Sequence, residues 1–176
     1  MLKKLIILFI IIFSFSSLTC ISAEKQRWIS MPIRVYIPDN GHYSKLMHKA
    51  FLAWEQKSNN LVRFKFVRKP SNANIQVHFL EKVNCNSDRA VGCSKLYLDR
   101  QGQYSSSDIE IGMKQLDNNN VYRTVNNIYG VMLHEIGHSL GLGHSTDNQS
   151  IMYPIDLPTL QYLTKTDLDL LYKKYH

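Results

Sequence analysis

The hydrophobic pattern changes period along the chain, and each change marks an element. An unbroken apolar run, Leu5 to Phe13, follows Lys3 and Lys4 and fades through Ser14 to Ser17. It is too short to span a bilayer comfortably and has the n-region and h-region of a secretory signal. Strict alternation then appears in Ile33-Arg-Val-Tyr-Ile37, which stops at Pro38-Asp-Asn-Gly41 and reads as a first strand and turn. Between Tyr43 and Lys57 the period becomes helical, with Leu46, Met47, Ala50, Ala53 and Trp54 on one side and Lys45, Lys49 and Gln56 on the other. Ser58-Asn-Asn60 ends that helix.

Alternation returns in Leu61 to Val67, where Val62, Phe64 and Phe66 face inward against Arg63 and Lys65. Ala73 to Phe79 repeats the pattern with Ile75, Val77 and Phe79 inward and His78 on the polar face, as a surface histidine rather than a ligand. Gly92 to Leu98 and Asp108 to Met113 are two further strands, separated by the turn Asp99-Arg-Gln-Gly102. From about Asn120, a candidate N-cap, to Leu140 the apolar positions Val125, Ile128, Met132, Ile136 and Leu140 recur at helical spacing. Thr164-Lys-Thr-Asp167 has the form of a capping box and starts a short last helix carrying Leu168, Leu171 and Tyr172. About five strands and three helices without an internal repeat predict an α+β fold.

Composition narrows the function classes. Cleavage after Ala23 divides the chain into a signal segment, 1–23, and one domain, 24–176, long enough for one core and not for two. Loss of Lys3 and Lys4 lowers the formal charge from +7 to +5. The basic residues form no stripe, so they read as a solvated surface and nucleic acid is excluded as a partner. Cys85 and Cys93 fall in a polar loop, and in an oxidising compartment their natural state is a disulfide. Cys20 offers lipid attachment as an alternative to cleaved export, although Ser17-Leu-Thr19 is a poor lipobox.

The candidate chemistry sits in the helix that ends near Leu140. His134 and His138 are four apart, so both imidazoles leave one helix face a turn apart. Glu135 lies between them, within reach of water on a metal they would hold. Gly141 can end the helix at positive φ and return His144 as a third nitrogen ligand. Three imidazoles with a position left open suit a catalytic zinc, whereas a structural zinc takes four protein ligands. The pattern predicts hydrolysis, with Glu135 as general base on an activated water.

His134-Glu-Ile-Gly-His138-Ser-Leu-Gly141-Leu-Gly-His144 resembles the metzincin peptidase signature, and Ile151-Met-Tyr-Pro154 resembles that group's Met-turn. Ser145 and the Met-Tyr-Pro sequence are similar to the matrixin branch. So are the Pro32 to Tyr36 strand, the helix bearing Ala50 and Trp54-Glu55, the Arg63-Phe-Lys-Phe66 strand and the Leu163-Thr-x-x-Asp167 start of the last helix. The resemblance implies a twisted mixed sheet of about five strands, an active-site helix and a C-terminal helix. It implies one zinc on His134, His138 and His144, with Met152 as an apolar floor beneath it and not a ligand.

The same resemblance implies that an extended peptide substrate adds to the edge strand Gly92 to Leu98. Gly130, Tyr153 and Pro154 would then help to line the pocket after the scissile bond, whose wall is the segment 154–163. A glycine at 130 implies a deep pocket that accepts a large apolar residue, although a helix glycine retained for close packing is the competing reading. Asp156 departs from the aromatic that matrixins often carry there. No switch cysteine or pro-segment is expected, His78 lacks the His-x-Asp pattern of a structural zinc cluster, and the calcium loop is shortened to the stretch around Asn84 to Gly92, so calcium is not expected. Together these imply a small, secreted or periplasmic, bacterial-type monomeric peptidase. The alternatives are a lipid-anchored form at the cell surface and a non-catalytic zinc-binding or adhesion protein that retains the site.

Overall fold

The computed structural model describes residues 26–85, 90–113, 125–154 and 162–176, and the side chains of 125–127 are outside that description. The signal segment 1–23, Cys20, the Asn120 cap and Asp156 lie outside the described residues. The elements are β1 (Ile33–Tyr36), α1 (His42–Lys57), β2 (Phe64–Phe66), a single 3-10 turn at Pro70–Asn72, β3 (Ile75–Leu80), β4 (Gly92–Leu98), β5 (Tyr104–Gly112), α2 (Val125–Ser139) and α3 (Lys165–Tyr175). The five strands form one mixed sheet in the order β2-β1-β3-β5-β4. Strands β1, β2, β3 and β5 are parallel, and β4 closes one edge antiparallel to β5. The fold is α+β, as the element pattern predicts.

Alternation along each strand separates the two faces of the sheet. Ile33, Val35, Ile75, Val77, Ile109 and Ile111 are buried on one face, in a single core with Met47, Ala50, Phe51 and Trp54 of α1 and Ile128, Tyr129, Val131, Met132, Leu133 and Ile136 of α2. The opposite face carries Arg34 opposite Lys65, Gln76 opposite Asp108, and His78 opposite Glu110. The helical stripe of α1 is centred on Phe51, which the sequence reading omitted; Leu46 and Ala53 are its partly buried margins. Phe51 meets Phe64 edge-on at 4.9 Å, and so fastens α1 to the edge strand β2.

Two element boundaries depart from expectation. Strand β2 is limited to Phe64–Phe66 rather than 61–67, because Leu61 N–H is turned back to the Ser58 carbonyl at the end of α1. Strand β5 begins at Tyr104 and not Asp108, since Ser107 pairs with Ile75 of β3 and Leu96 of β4, Ser106 pairs with Tyr97 and Tyr104 with Leu98, although the serines give no hydrophobic alternation. α2 is described from Val125, so its expected start near Asn120 is outside the described residues.

Trp54 is fully buried and donates its indole N–H to the Leu133 carbonyl at 3.0 Å, which joins α1 to α2 beside the histidines. Truncating such a side chain to alanine costs about 3–5 kcal/mol. At the far end of α2, Trp28 donates its indole N–H to the Ser139 carbonyl at 2.8 Å, and Tyr175 of α3 donates its hydroxyl to Leu140 at 3.2 Å. These bonds use carbonyls at the end of a helix that has no further turn to satisfy them. The histidine helix is therefore held along its length. None of the described helices is long and apolar enough to cross a membrane.

Candidate metal centre

α2 ends where the sequence predicts. Gly141 has φ +87°, its N–H bonds the His138 carbonyl at 2.8 Å, and Leu142 N–H bonds the Gly137 carbonyl at 3.0 Å. This left-handed cap reverses the chain and returns His144 to the two helical histidines. Ser145 N–H then bonds the Met152 carbonyl at 2.8 Å, so the segment after His144 is tied to the turn below it.

The nitrogen ligand atoms of His134, His138 and His144 lie within 4.8 Å of one another, and this is the one such cluster among the described residues. His134 Nδ1 is 2.6 Å from the Ile151 carbonyl oxygen, and His138 Nδ1 is 2.8 Å from that of Leu142. A carbonyl only accepts, so each Nδ1 carries the proton and donates it. That fixes the tautomer and leaves the Nε2 lone pairs free for a metal. His138 Nε2 and His144 Nε2 are 3.2 Å apart, close to the roughly 3.3 Å that tetrahedral zinc with 2.0–2.1 Å bonds would impose.

The surroundings favour neutral imidazoles. Burial, aided by the neighbouring His138, lowers the His134 pKa to about 4, and burial also lowers that of His138. Glu135 is 6% exposed, and burial raises its pKa to about 8. Its Oε2 is buried without a hydrogen-bond partner. A carboxylate held this way is costly unless a cation stands beside it. Neutral nitrogen donors around one point, next to an unpartnered buried acid, fit a zinc ion.

Met152 is fully buried under the site. A Cβ on Gly137, between the two helical histidines, would overlap the Met152 sulfur and press on Trp54. The absence of that atom lets the methionine lie directly against α2. Tyr153 is half-buried and Pro154 exposed at the end of the turn, and half-buried Gly130 lies one helical turn before His134. The rest of the expected pocket wall, 155–161, is outside the described residues. His78 sits on the polar face of the sheet, 3.3 Å from Asp108, away from this cluster. Cys85 and Cys93 are joined in a disulfide, as the sequence predicts.

One organising residue was missed. Asp167 is fully buried; it accepts the Thr164 N–H at 2.7 Å as the capping box predicts. It also accepts the Ser150 hydroxyl and the backbone N–H groups of Ile151 and Met152. The capping motif identifies the acid, but nothing local in the sequence shows that its other oxygen reaches the Met-turn.

The matrixin family model matches residues 27–175, essentially the whole described chain. Over 43 residues the chain is 51% identical to the interstitial collagenase of Aquarana catesbeiana, covering 24% of this chain and 11% of that protein. Over 47 residues it is 49% identical to metalloendoproteinase 1 of Glycine max, covering 26% of this chain and 15% of that protein. A 28-residue stretch is 64% identical to the interstitial collagenase of Oryctolagus cuniculus, 16% of this chain and 6% of that protein. The chain therefore matches only a small fraction of the length of these relatives. The family match, the mixed five-stranded sheet and a histidine triad able to hold a metal together make this chain a member of the matrixin family of zinc metallopeptidases.

Proposed function

We propose that this protein is an exported zinc endopeptidase in which His134, His138 and His144 hold the metal and Glu135 is the general base. The observation that carries the reading is the buried, unpartnered Glu135 carboxyl on the same helix as two histidines whose tautomers leave Nε2 free. Zinc bound there would supply Lewis-acid chemistry, acidifying a water and polarising the scissile carbonyl. Glu135 takes the proton of the attacking water and delivers it to the leaving amine. The Ile151 and Leu142 carbonyls keep both helical imidazoles oriented through the cycle, and Met152 supplies an apolar, water-excluding floor.

Strand β4 is the terminal strand of the sheet and lies against α2, which suits it to take an extended peptide as an added strand. Gly130, Tyr153 and Pro154 would shape the pocket beyond the scissile bond, with a preference for a large apolar residue. A peptide-library digest that favours small residues there removes the Gly130 assignment. Export is supported by the Lys3-Lys4 apolar leader and by the Cys85–Cys93 disulfide. It predicts a mature protein beginning at Glu24, whereas recovery of acylated Cys20 would indicate a lipid-anchored one.

The deciding experiment compares residues 24–176 with the Glu135→Gln protein on a peptide library, with and without a chelator. Chelation and Glu135→Gln should each lower hydrolysis by several orders of magnitude while Glu135→Gln still binds one zinc. Substantial hydrolysis by zinc-loaded Glu135→Gln refutes the general-base assignment. Inactive but zinc-loaded wild-type protein would identify a binding or adhesion module instead.

A further inference from the structure

We propose that Gly92, the first residue of β4, is a positioning residue that fixes the Glu135 carboxyl beside the histidine triad. The inference rests on the role proposed for Glu135. It starts from a contact between the edge strand and α2. A Cβ built on Gly92 would stand 2.5 Å from Glu135 Oε1, 2.6 Å from Glu135 Cγ and 2.7 Å from Val131 Cγ1. Carbon cannot approach that closely, so the Glu135 side chain occupies the volume that any other residue at 92 would fill. Gly92 is not among the glycines with positive φ, so the requirement is for space and not for a special backbone conformation.

The neighbours determine which group would yield to an added methyl. Val131 lies one turn before Glu135 on α2, is buried, and as a β-branched helical residue has essentially one χ1 rotamer. Strand β4 cannot readily withdraw. Gly92 pairs with Ile111 of β5, and Gly112 N–H bonds the Val91 carbonyl at 2.9 Å. The next residue, Cys93, pairs with Glu110 and is joined to Cys85. Side chains alternate across a strand, so the disulfide holds β4 from the sheet face opposite Glu135. The remaining mobile group is the Glu135 side chain, and its displacement moves the carboxyl that must meet the water. Displacement of a reacting group by about 1 Å can cost on the order of a hundredfold in rate.

The test uses Gly92→Ala in the zinc-loaded protein with a chelator-stripped sample beside it. The expected result is a kcat at least about tenfold lower, KM within about twofold of wild type and one zinc per chain retained. A loss confined to KM, or wild-type kcat, overturns the proposal. A second readout needs no activity: the thermal midpoints of Gly92→Ala, Glu135→Ala and the double variant in the stripped protein. The Gly92→Ala loss should shrink by at least half when Glu135 is already alanine, because the methyl then has room. Additive losses overturn the inference. Should Gly92→Ala fail to fold, recovery of a folded double variant supports it and failure of the double variant overturns it. An active Glu135→Gln protein would sink the general-base reading, while the midpoint cycle would still report whether Gly92 fixes the Glu135 side chain.

Discussion

The Asp167 carboxylate, wholly buried at the start of α3, accepts the backbone N–H of Met152 at 3.3 Å across fifteen residues of chain. The same group accepts Ile151 N–H at 3.2 Å, while the Ile151 carbonyl accepts from His134 Nδ1. A continuous chain of hydrogen bonds thus runs from the last helix, through the Met-turn, to a histidine of the triad.

Replacing Asp167 with asparagine keeps the shape but removes the charge that strengthens several bonds and turns an acceptor into a donor facing N–H groups. The expected cost is about 2–4 kcal/mol. Zinc affinity should also fall, because the Ile151 carbonyl loses its anchor. Denaturant melts and a zinc titration by competition with a chelator measure both; unchanged zinc affinity would separate α3 from the metal site.

Glu135 gives the metal-free protein a distinct pH dependence. Burial raises its folded pKa to about 8, above the ordinary 4.5. The folded state therefore holds the proton more tightly, and stability is lost as pH rises from about 4.5 until it levels off above 8. The Glu135→Gln protein lacks that loss and should be the more stable stripped protein at pH 8–9, by up to about 4–5 kcal/mol at 1.36 kcal/mol per pKa unit. Below pH 6.5 both proteins should weaken together as the depressed His134 resists protonation. Thermal midpoints of chelated samples from pH 4 to 9 test this, and parallel curves between about pH 5 and 8 would contradict it.

On the polar face, Glu110 accepts the Asn84 N–H at 2.7 Å and the Lys95 ammonium at 2.9 Å. Burial alone would raise its pKa, but the Asn84 N–H and Lys95 outweigh it and hold the carboxyl below its ordinary value. A depressed acid contributes stability that is present above about pH 4.5 and lost as pH falls through the folded pKa. Glu110→Gln should therefore be less stable than wild type at neutral pH, with the gap closing below pH 4. Acid titration followed by circular dichroism reads the difference.

The Cys85–Cys93 bridge closes a short loop onto β4, next to Gly92. Replacing both cysteines with serine should lower stability by about 2–3 kcal/mol from loop entropy. Amide exchange at the start of β4 should accelerate more than in β1. Equal acceleration throughout the sheet would indicate a purely global effect.

Whatever depends on residues close together in the chain is legible before any folding is considered. The spacing of His134, Glu135 and His138 is a property of one helix, the return of His144 follows from one glycine's backbone freedom, and the α1 stripe and the alternation of β1 and β3 follow from local period. The start of β5 is invisible to local pattern because Ser106 and Ser107 pair through backbone groups that carry no side-chain signal. The contacts that aim the site exist only in the folded chain. Asp167 reads as a helix cap until folding brings its second oxygen to Ser150 and Met152, and Gly92 reads as an ordinary strand glycine until β4 is laid against α2. The physical reason is that hydrogen-bond partners and excluded volume depend on distances in space, and residues far apart in the chain acquire those distances only when the core closes.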